Sequence, residues 1–300
     1  MFIKQALLYK NPFWMYLLGS FVIIIFTIIG QLPLSFFLTT DIIANAGGDP
    51  MLALRSLDKN LQLFLLLIPF IFGFLGLYLV IRKLHERSLK SISTARNEFD
   101  WDRVIYSFIL WGAIIVILVI VDYFLNSDSY QINFNFKNFT ILFLISIVLI
   151  PIQTSLEEFI FRGYLFQGFS SFLKSPLIAL FVTSFIFGFL HIFNPEVEKL
   201  GLGILIFYIG TGLFLGLITL IDDGIELALG FHAANNLITA LLVTSSWTAF
   251  QTESVLLDIS EPSLGTEIII SLFLLYPIFF LHMYKKYKWS DWKNKLTTKV

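Results

Sequence analysis

The stretch FTILFLISIVLIPIQTSLEEFIFRG, residues 139–163, decides the fold. Its first 18 residues carry no charge, and a helix of about 20 apolar residues crosses the hydrocarbon core of a bilayer. Only helix bundles and closed barrels satisfy their backbone groups in lipid, and barrel strands would appear as short alternating segments. The stretch therefore predicts a transmembrane helix that ends in charged residues.

The whole chain repeats this pattern. Hydrophobic residues make up 57% of the 300 residues and charged residues only 14%, against about 25% in a typical soluble domain, and the mean hydropathy is +0.83. A water-soluble surface needs more polar groups than this, so a soluble globular enzyme and a disordered chain are both excluded. We predict an all-α integral membrane bundle with about eight transmembrane helices. The apolar blocks are Phe13–Leu38, Leu61–Ile81, Val104–Val121, Phe139–Leu156, Pro176–Phe193, Gly201–Ile221, Ile225–Val243 and Ile268–Tyr284.

The charges and the cysteine count exclude further classes and set an orientation. A net charge of −1 argues against a nucleic-acid partner, and the absence of Cys excludes disulfides, thiol nucleophiles and zinc–thiolate sites. With eight spans, 15 of the 20 Lys and Arg residues, Lys10 among them, fall on the side of the two termini, and four fall on the other side. Cytoplasmic segments carry the positive excess, so we predict a multi-pass protein of the cell membrane with both termini cytoplasmic. Only Arg162 has no explanation in this topology.

A first cluster of charges follows the uncharged run Phe139–Leu156. Glu158 and Arg162 are four residues apart, so they share one helical face and can pair. Glu157 is rotated by about 100° from Glu158 and has no charged partner at that spacing. An unpaired carboxylate in an apolar cavity suits a general base. The alternative is that these residues are the charged, water-facing end of a helix.

Two further clusters place His residues in later apolar blocks. His191 ends the motif Phe187-x-x-x-His191, and His232 begins the motif His232-x-x-x-Asn236. His232 and Asn236 are one turn apart and share a face. Each motif alone is also compatible with a buried His or an interhelical hydrogen bond.

Together these groups can activate water. A Glu with a His can take a proton from water, and a second His with an Asn can donate hydrogen bonds to a developing oxyanion. The same groups could instead hold zinc, and we keep Glu157, His191 and His232 as candidate ligands. The chain contains neither an HExxH nor a GxSxG motif, so the commonest zinc-protease and serine-hydrolase signatures are absent.

The three motifs in this order resemble the CPBP or Abi family, which comprises CAAX prenyl endopeptidases and bacteriocin-processing or bacteriocin-immunity proteins. The family pattern is EExxxR, FxxxH and HxxxN, each on a separate membrane helix, and the resemblance covers about residues 139–243. It implies an intramembrane endopeptidase of the type II CAAX prenyl protease kind, working as a glutamate protease or a metalloprotease. By this resemblance, Glu157 is the general base acting with His191. His232 and Asn236 stabilise the oxyanion, and Glu158 and Arg162 hold the site geometry.

The resemblance also divides the chain. We read residues 1–300 as one membrane domain, 139–243 as its catalytic core and 285–300 as a basic cytoplasmic tail suited to anionic headgroups. The expected partners are membrane lipids and a peptide or lipid-modified protein substrate, with no nucleic acid and an oligomeric state that the sequence leaves open. The sequence does not fix a cofactor, and zinc is the alternative to the metal-free mechanism that we favour.

The positions of Glu157 and His191 across the membrane predict that the fourth helix is unusually long. In a simple eight-span arrangement Glu157 lies near the cytoplasmic end of its helix, whereas His191 lies about 22 Å from the start of the next helix at Pro176. The two meet if the fourth helix continues through Phe169 or if the stretch Gly163–Lys174 is partly embedded in the membrane. We therefore predict a long, bent or tilted fourth helix and a site partly sunk in the membrane that opens to the cytoplasm.

Two other functions remain open at this stage. The chain could be a non-catalytic scaffold or a bacteriocin self-immunity protein with the same fold, although complete motifs of costly buried polar groups argue against that. It could also be an ion or proton transporter with the Glu and His residues as a relay, but the chain shows none of the internal repeats common in transporters.

Overall fold

The computed structural model describes residues 2–9 and 11–299 of the chain. Lys10, which was counted among the inner charges, and Val300, the last residue of the tail, lie outside the described residues. Within these residues, seven helices are long and apolar enough to span a membrane. We number the eight long helices in chain order: α1 Phe13–Phe37, α2 Lys59–Leu84, α3 Trp101–Leu125, α4 Phe136–Leu173, α5 Pro176–Phe193, α6 Leu202–Asp222, α7 Glu226–Leu242 and α8 Thr266–Lys286.

Short elements connect these helices. The short helices are Phe2–Tyr9, Thr40–Asn45, Pro50–Arg55, Leu89–Ser93, Ser127–Ser129, Pro195–Leu200 and Trp292–Thr297. The strands are β1 Tyr130–Ile132, β2 Val243–Ser245 and β3 Leu256–Asp258. They form one small sheet in the order β1-β3-β2, in which β3 pairs antiparallel with β1 and parallel with β2. The fold is thus the expected all-α membrane bundle with a small sheet at one end.

Helix α7, which the sequence predicted as a further span, is not among these seven candidate spans and is shorter than each of them. It is 17 residues long, and ten of these residues are buried. Small side chains let α3 pack closely against it, and the Ser107 hydroxyl on α3 donates to the Leu227 carbonyl over 2.7 Å. Most of the helix that carries His232 and Asn236 is therefore covered by the rest of the protein.

The long fourth helix is confirmed. Helix α4 runs for 38 residues, about 57 Å at 1.5 Å per residue, which is nearly twice the thickness of a hydrocarbon core of about 30 Å. Pro151 lies inside it, and a π-helical segment at Phe159–Leu165 begins directly after the second Glu of the first motif. Such π-helical segments are frequent at functional sites, because they redirect side chains that follow them.

The segments assigned to the cytoplasmic side meet at one end of the bundle. The Ala95 N–H donates to the Asp223 carbonyl and the Ile225 N–H to the Ser93 carbonyl, over 2.9 and 2.8 Å. From the C-terminal tail, the Trp289 indole N–H donates to Asp222 over 2.7 Å. The predicted grouping of these segments is therefore confirmed, and the side of the membrane that they face stays a prediction.

A glycine sets the approach of α3 to α7. A Cβ atom on Gly230 would lie 2.1 Å from the Val104 carbonyl oxygen on α3, whereas one on Gly112, across the same interface, would lie 3.4 Å from its nearest neighbour on Ile238. We expect Gly230→Ala to destabilise the protein by ~1–3 kcal/mol or more, because backbone must move apart. Gly112→Ala should be neutral or slightly stabilising. Thermal unfolding in detergent measures both, and equal midpoints would contradict this account.

A buried His, His85, in the segment after α2 makes the stability of the protein depend on pH. Burial and the neighbouring Arg87 guanidinium lower the pKa of His85 to about 4, from 6.5 for an ordinary His. The folded protein thus keeps His85 neutral where the unfolded chain takes up a proton. The contribution of His85 to the free energy of unfolding is fully present above pH ~6.5. It is lost as the pH falls towards 4, by roughly 2–3 kcal/mol in all.

The His85→Gln variant tests this dependence. Gln does not titrate, and it can still bond to the Tyr164 hydroxyl, which lies 2.9 Å from His85 Nε2. We expect the unfolding midpoint of the wild type to fall more between pH 7 and pH 5 than that of the variant. Identical falls would show that His85 does not supply the pH dependence.

Candidate active site

The three predicted motifs converge from three helices. Helix α4 carries Glu157, Glu158 and Arg162, the end of α5 carries His191, and α7 carries His232 and Asn236. Because α7 is enclosed by its neighbours, the polar side chains on it are held against α4 away from lipid. The resulting cluster lies within the bundle.

Glu158 is fully buried, and one of its oxygen atoms accepts two hydrogen bonds. Its Oε1 atom accepts from Arg162 Nη1 over 2.9 Å and from His232 Nδ1 over 2.7 Å. The Glu158 and Arg162 side chains are 0% and 3% exposed, and the Arg162 guanidinium also lies 4.3 Å from the centre of the Phe187 ring. The predicted pairing of Glu158 with Arg162 is therefore confirmed, and it also fixes His232.

Glu157 faces the other edge of the same imidazole. Its Oε2 atom lies 3.7 Å from His232 Nε2, and its Oε1 atom accepts from Gln153 Nε2 over 2.5 Å. The two adjacent carboxylates of α4 thus contact the two different nitrogens of one His. A pair of groups facing each other at 3.7 Å is too far apart for a direct hydrogen bond but suits one shared water molecule.

These contacts determine which nitrogen of His232 carries a proton. A carboxylate paired with Arg162 accepts hydrogen bonds, so His232 Nδ1 must be the donor towards Glu158. In the neutral ring, Nε2 then has a free lone pair directed towards Glu157. The geometry offers a water molecule two acceptors, one on Glu157 and one on His232.

His191 is held differently from His232. Its Nδ1 donates to the Phe187 carbonyl over 2.7 Å, and its ring stacks on Tyr208 with centroids 4.2 Å apart. Within the described residues, no hydrogen bond or ion pair joins His191 to Glu157. The structure thus brings His232 next to Glu157, and it leaves Nε2 of His191 as the nitrogen available to water or substrate.

Asn236 reaches the site through a residue that the sequence analysis missed. Its Nδ2 atom donates to Gln153 Oε1 over 3.2 Å, and Gln153 in turn donates to Glu157. Gln153 lies four residues before Glu157 in an uncharged run, so an i,i+4 search before the motif would have found it. Asn235 and Trp111 extend the same network, and only the packing of α3 against α7 brings them to it.

The candidate metal ligands do not converge. Among the residues that the structure describes, no group of three or more His, Cys, Asp and Glu side chains is placed to hold a metal ion. Glu157 and His232 face each other at 3.7 Å, but His191 does not join them in such a group. This donor set does not fit a three-ligand zinc site in this conformation.

Comparisons with known proteins agree with the motifs. Residues 136–238 match a family model described as type II CAAX prenyl endopeptidase Rce1-like, so this part of the chain is an Rce1-like domain. YyaK, an uncharacterised protein of Bacillus subtilis strain 168, is 29% identical over 238 residues, which cover 78% of this chain and 79% of that protein. No solved structure matches the chain. The family resemblance stated from the three motifs is confirmed, and the matched region runs from α4 into α7.

Proposed function

We propose that this membrane protein, with its Rce1-like domain at residues 136–238, is an intramembrane endopeptidase. It hydrolyses a peptide bond in a membrane-associated or lipid-modified peptide. One observation carries the proposal: Glu157 Oε2 and His232 Nε2 face each other at 3.7 Å, with Glu158 behind the imidazole at 2.7 Å.

Water activation follows from this arrangement. A water molecule between Glu157 and His232 donates a hydrogen bond to each and is polarised for attack on a carbonyl carbon. Glu157 takes the proton and passes it to the leaving amine. Glu158, held by Arg162, accepts from His232 Nδ1 and so keeps the Nε2 lone pair directed at the water molecule. The reaction needs no other nucleophile, and no step is routed through a metal ion.

Asn236 supplies the complementary group. One N–H of its amide is bonded to Gln153, which leaves the second N–H to stabilise the oxyanion of the tetrahedral intermediate. His191 is the second histidine of the site, and its Nε2 is the nitrogen that acts on water or substrate. The resemblance assigns His191 to water activation, whereas the present contacts favour His232 for that step.

The orientation is part of the proposal. The end of the bundle that gathers the N-terminal helix, residues 85–100, residues 222–226 and the basic tail faces the cytoplasm, because positive segments are retained on that side. The substrate then enters from the cytoplasmic side of the membrane.

A peptide-cleavage assay tests the proposal. The purified protein in detergent is incubated with quenched prenylated and unprenylated peptides, with and without a zinc chelator. Cleavage of either set supports an endopeptidase, and the preferred set gives the substrate class. Loss of cleavage in the presence of the chelator would contradict the metal-free mechanism and indicate a metalloprotease. No cleavage by folded protein would favour the second candidate, a non-catalytic scaffold or self-immunity protein, for which Glu157 would be dispensable.

A further inference from the structure

A chain of hydrogen bonds connects α3 to the catalytic carboxylate. It begins at Trp111, whose indole N–H donates to Asn235 Oδ1 over 3.2 Å. Asn235 Nδ2 donates to Asn236 Oδ1 over 3.2 Å, and Asn236 Nδ2 donates to Gln153 Oε1 over 3.2 Å. Gln153 Nε2 completes the chain with its 2.5 Å bond to Glu157. Every bond in the chain points in the same direction, from α3 through α7 to α4.

The two ends of this chain fix its direction. An indole N–H can only donate, and an ionised carboxylate can only accept. Each of the three amides between them accepts at its oxygen and donates at its nitrogen, so flipping any one would set two acceptors or two donors against each other. Hydrogen bonds aligned in this way also polarise one another in a site of low dielectric.

Trp111 is a rigid starting point. Its side chain is 3% exposed, and its ring stacks on Phe231 at 4.1 Å and meets the edges of Tyr276 and Phe279 at 5.6 and 5.9 Å. These contacts hold the indole N–H in one direction. Helix α3 precedes the Rce1-like match, so this anchor lies outside the segment that carries the three motifs.

We infer that Trp111, Asn235 and Gln153 are positioning residues of the active site, an inference that rests on the proposed function. They hold the Asn236 amide with its nitrogen towards α4 and its oxygen away. This orientation presents an N–H rather than a carbonyl to the oxyanion. They also give Glu157 a fixed hydrogen-bond donor, so that its other oxygen stays directed at His232 and the attacking water.

Enzyme kinetics give the first test. We expect Trp111→Phe, which keeps an aromatic ring but loses the N–H, to lower kcat about fivefold, the equivalent of about one net hydrogen bond, with KM unchanged. Gln153→Leu removes a bond to a charged acceptor and should lower kcat about 10- to 100-fold. Trp101→Phe, on the same helix but 65% exposed, is the matched control and should leave both constants unchanged. A kcat for Trp111→Phe equal to that of the control would overturn the inference.

A second test does not need activity. With ¹⁵N-labelled tryptophan the protein gives indole N–H signals from its six Trp residues, and Trp111→Phe identifies one of them. We expect Gln153→Leu to shift the Trp111 signal, although Gln153 is three hydrogen bonds away, and to leave the Trp289 signal in place. An unmoved Trp111 signal would show that the chain does not act as a unit. If the wild type cleaves no peptide but the signal moves, the proposed function fails and the connected network stands.

Discussion

Glu157→Gln abolishes peptide cleavage while the protein still folds. General-base catalysis contributes about 10²- to 10⁴-fold, and Gln has almost the shape of Glu but cannot take a proton from water. The variant keeps an acceptor for Gln153 and leaves the pair of Glu158 with Arg162 untouched, so we expect little change in the unfolding midpoint. Initial cleavage rates and thermal unfolding of the same detergent preparation measure the two effects separately.

The matched control for this variant is Glu98→Gln. Glu98 is an exposed carboxylate in the segment between α2 and α3, so its replacement should leave cleavage unchanged. His232→Ala should lose activity to a similar extent as Glu157→Gln, because His232 is the imidazole next to that carboxylate. Full activity in Glu157→Gln would refute the assignment of Glu157 as the base and favour a site built around another group.

Arg162→Met is expected to prevent stable folding. It leaves the Glu158 carboxylate, which is 0% exposed, without its cation inside the bundle. Removing one partner of a buried ion pair costs about 3–5 kcal/mol, because the remaining charge has lost both water and its counter-ion. The measurement is the yield of monodisperse protein and its unfolding midpoint in detergent.

A double variant separates charge from packing. Glu158→Gln together with Arg162→Met removes both charges of the buried pair, and the amide oxygen introduced at position 158 can still accept from His232. We expect the double variant to recover most of the lost stability, since neutral replacement of a buried pair is often tolerated. A double variant no more stable than Arg162→Met would show that Arg162 acts through its packing on Phe187 rather than through its charge.

Local spacing in the sequence predicted much of the site. The apolar blocks and the low charge determined a membrane helix bundle, and three motifs in order pointed to the Rce1-like family model that matches residues 136–238. The i,i+4 spacing predicted the ion pair between Glu158 and Arg162, because residues four apart always meet on one helix face. The depth of His191 predicted that α4 must be unusually long, and it is.

Contacts between different helices could not be predicted from residue spacing along the sequence. The sequence pointed to α7 as one more apolar block, and only the structure shows that most of it is buried, with Gly230 and its small neighbours letting α3 approach. By resemblance the sequence paired Glu157 with His191 through the attacking water, and the structure adds His232, whose Nε2 lies 3.7 Å from Glu157. Trp111 lies on a helix with no motif, and no spacing rule connects it to Asn235.

The physical reason is that contacts within one helix and contacts between helices are set by different features of the chain. Within one helix, 3.6 residues per turn fix which side chains share a face, so the sequence alone determined the pairing within α4 and the shared face of His232 and Asn236. Between helices, rotation and depth depend on how closely the backbones pack and on which buried polar groups must be satisfied together. Only the tertiary structure therefore decided which imidazole faces Glu157 and that a hydrogen-bond chain from α3 ends on it.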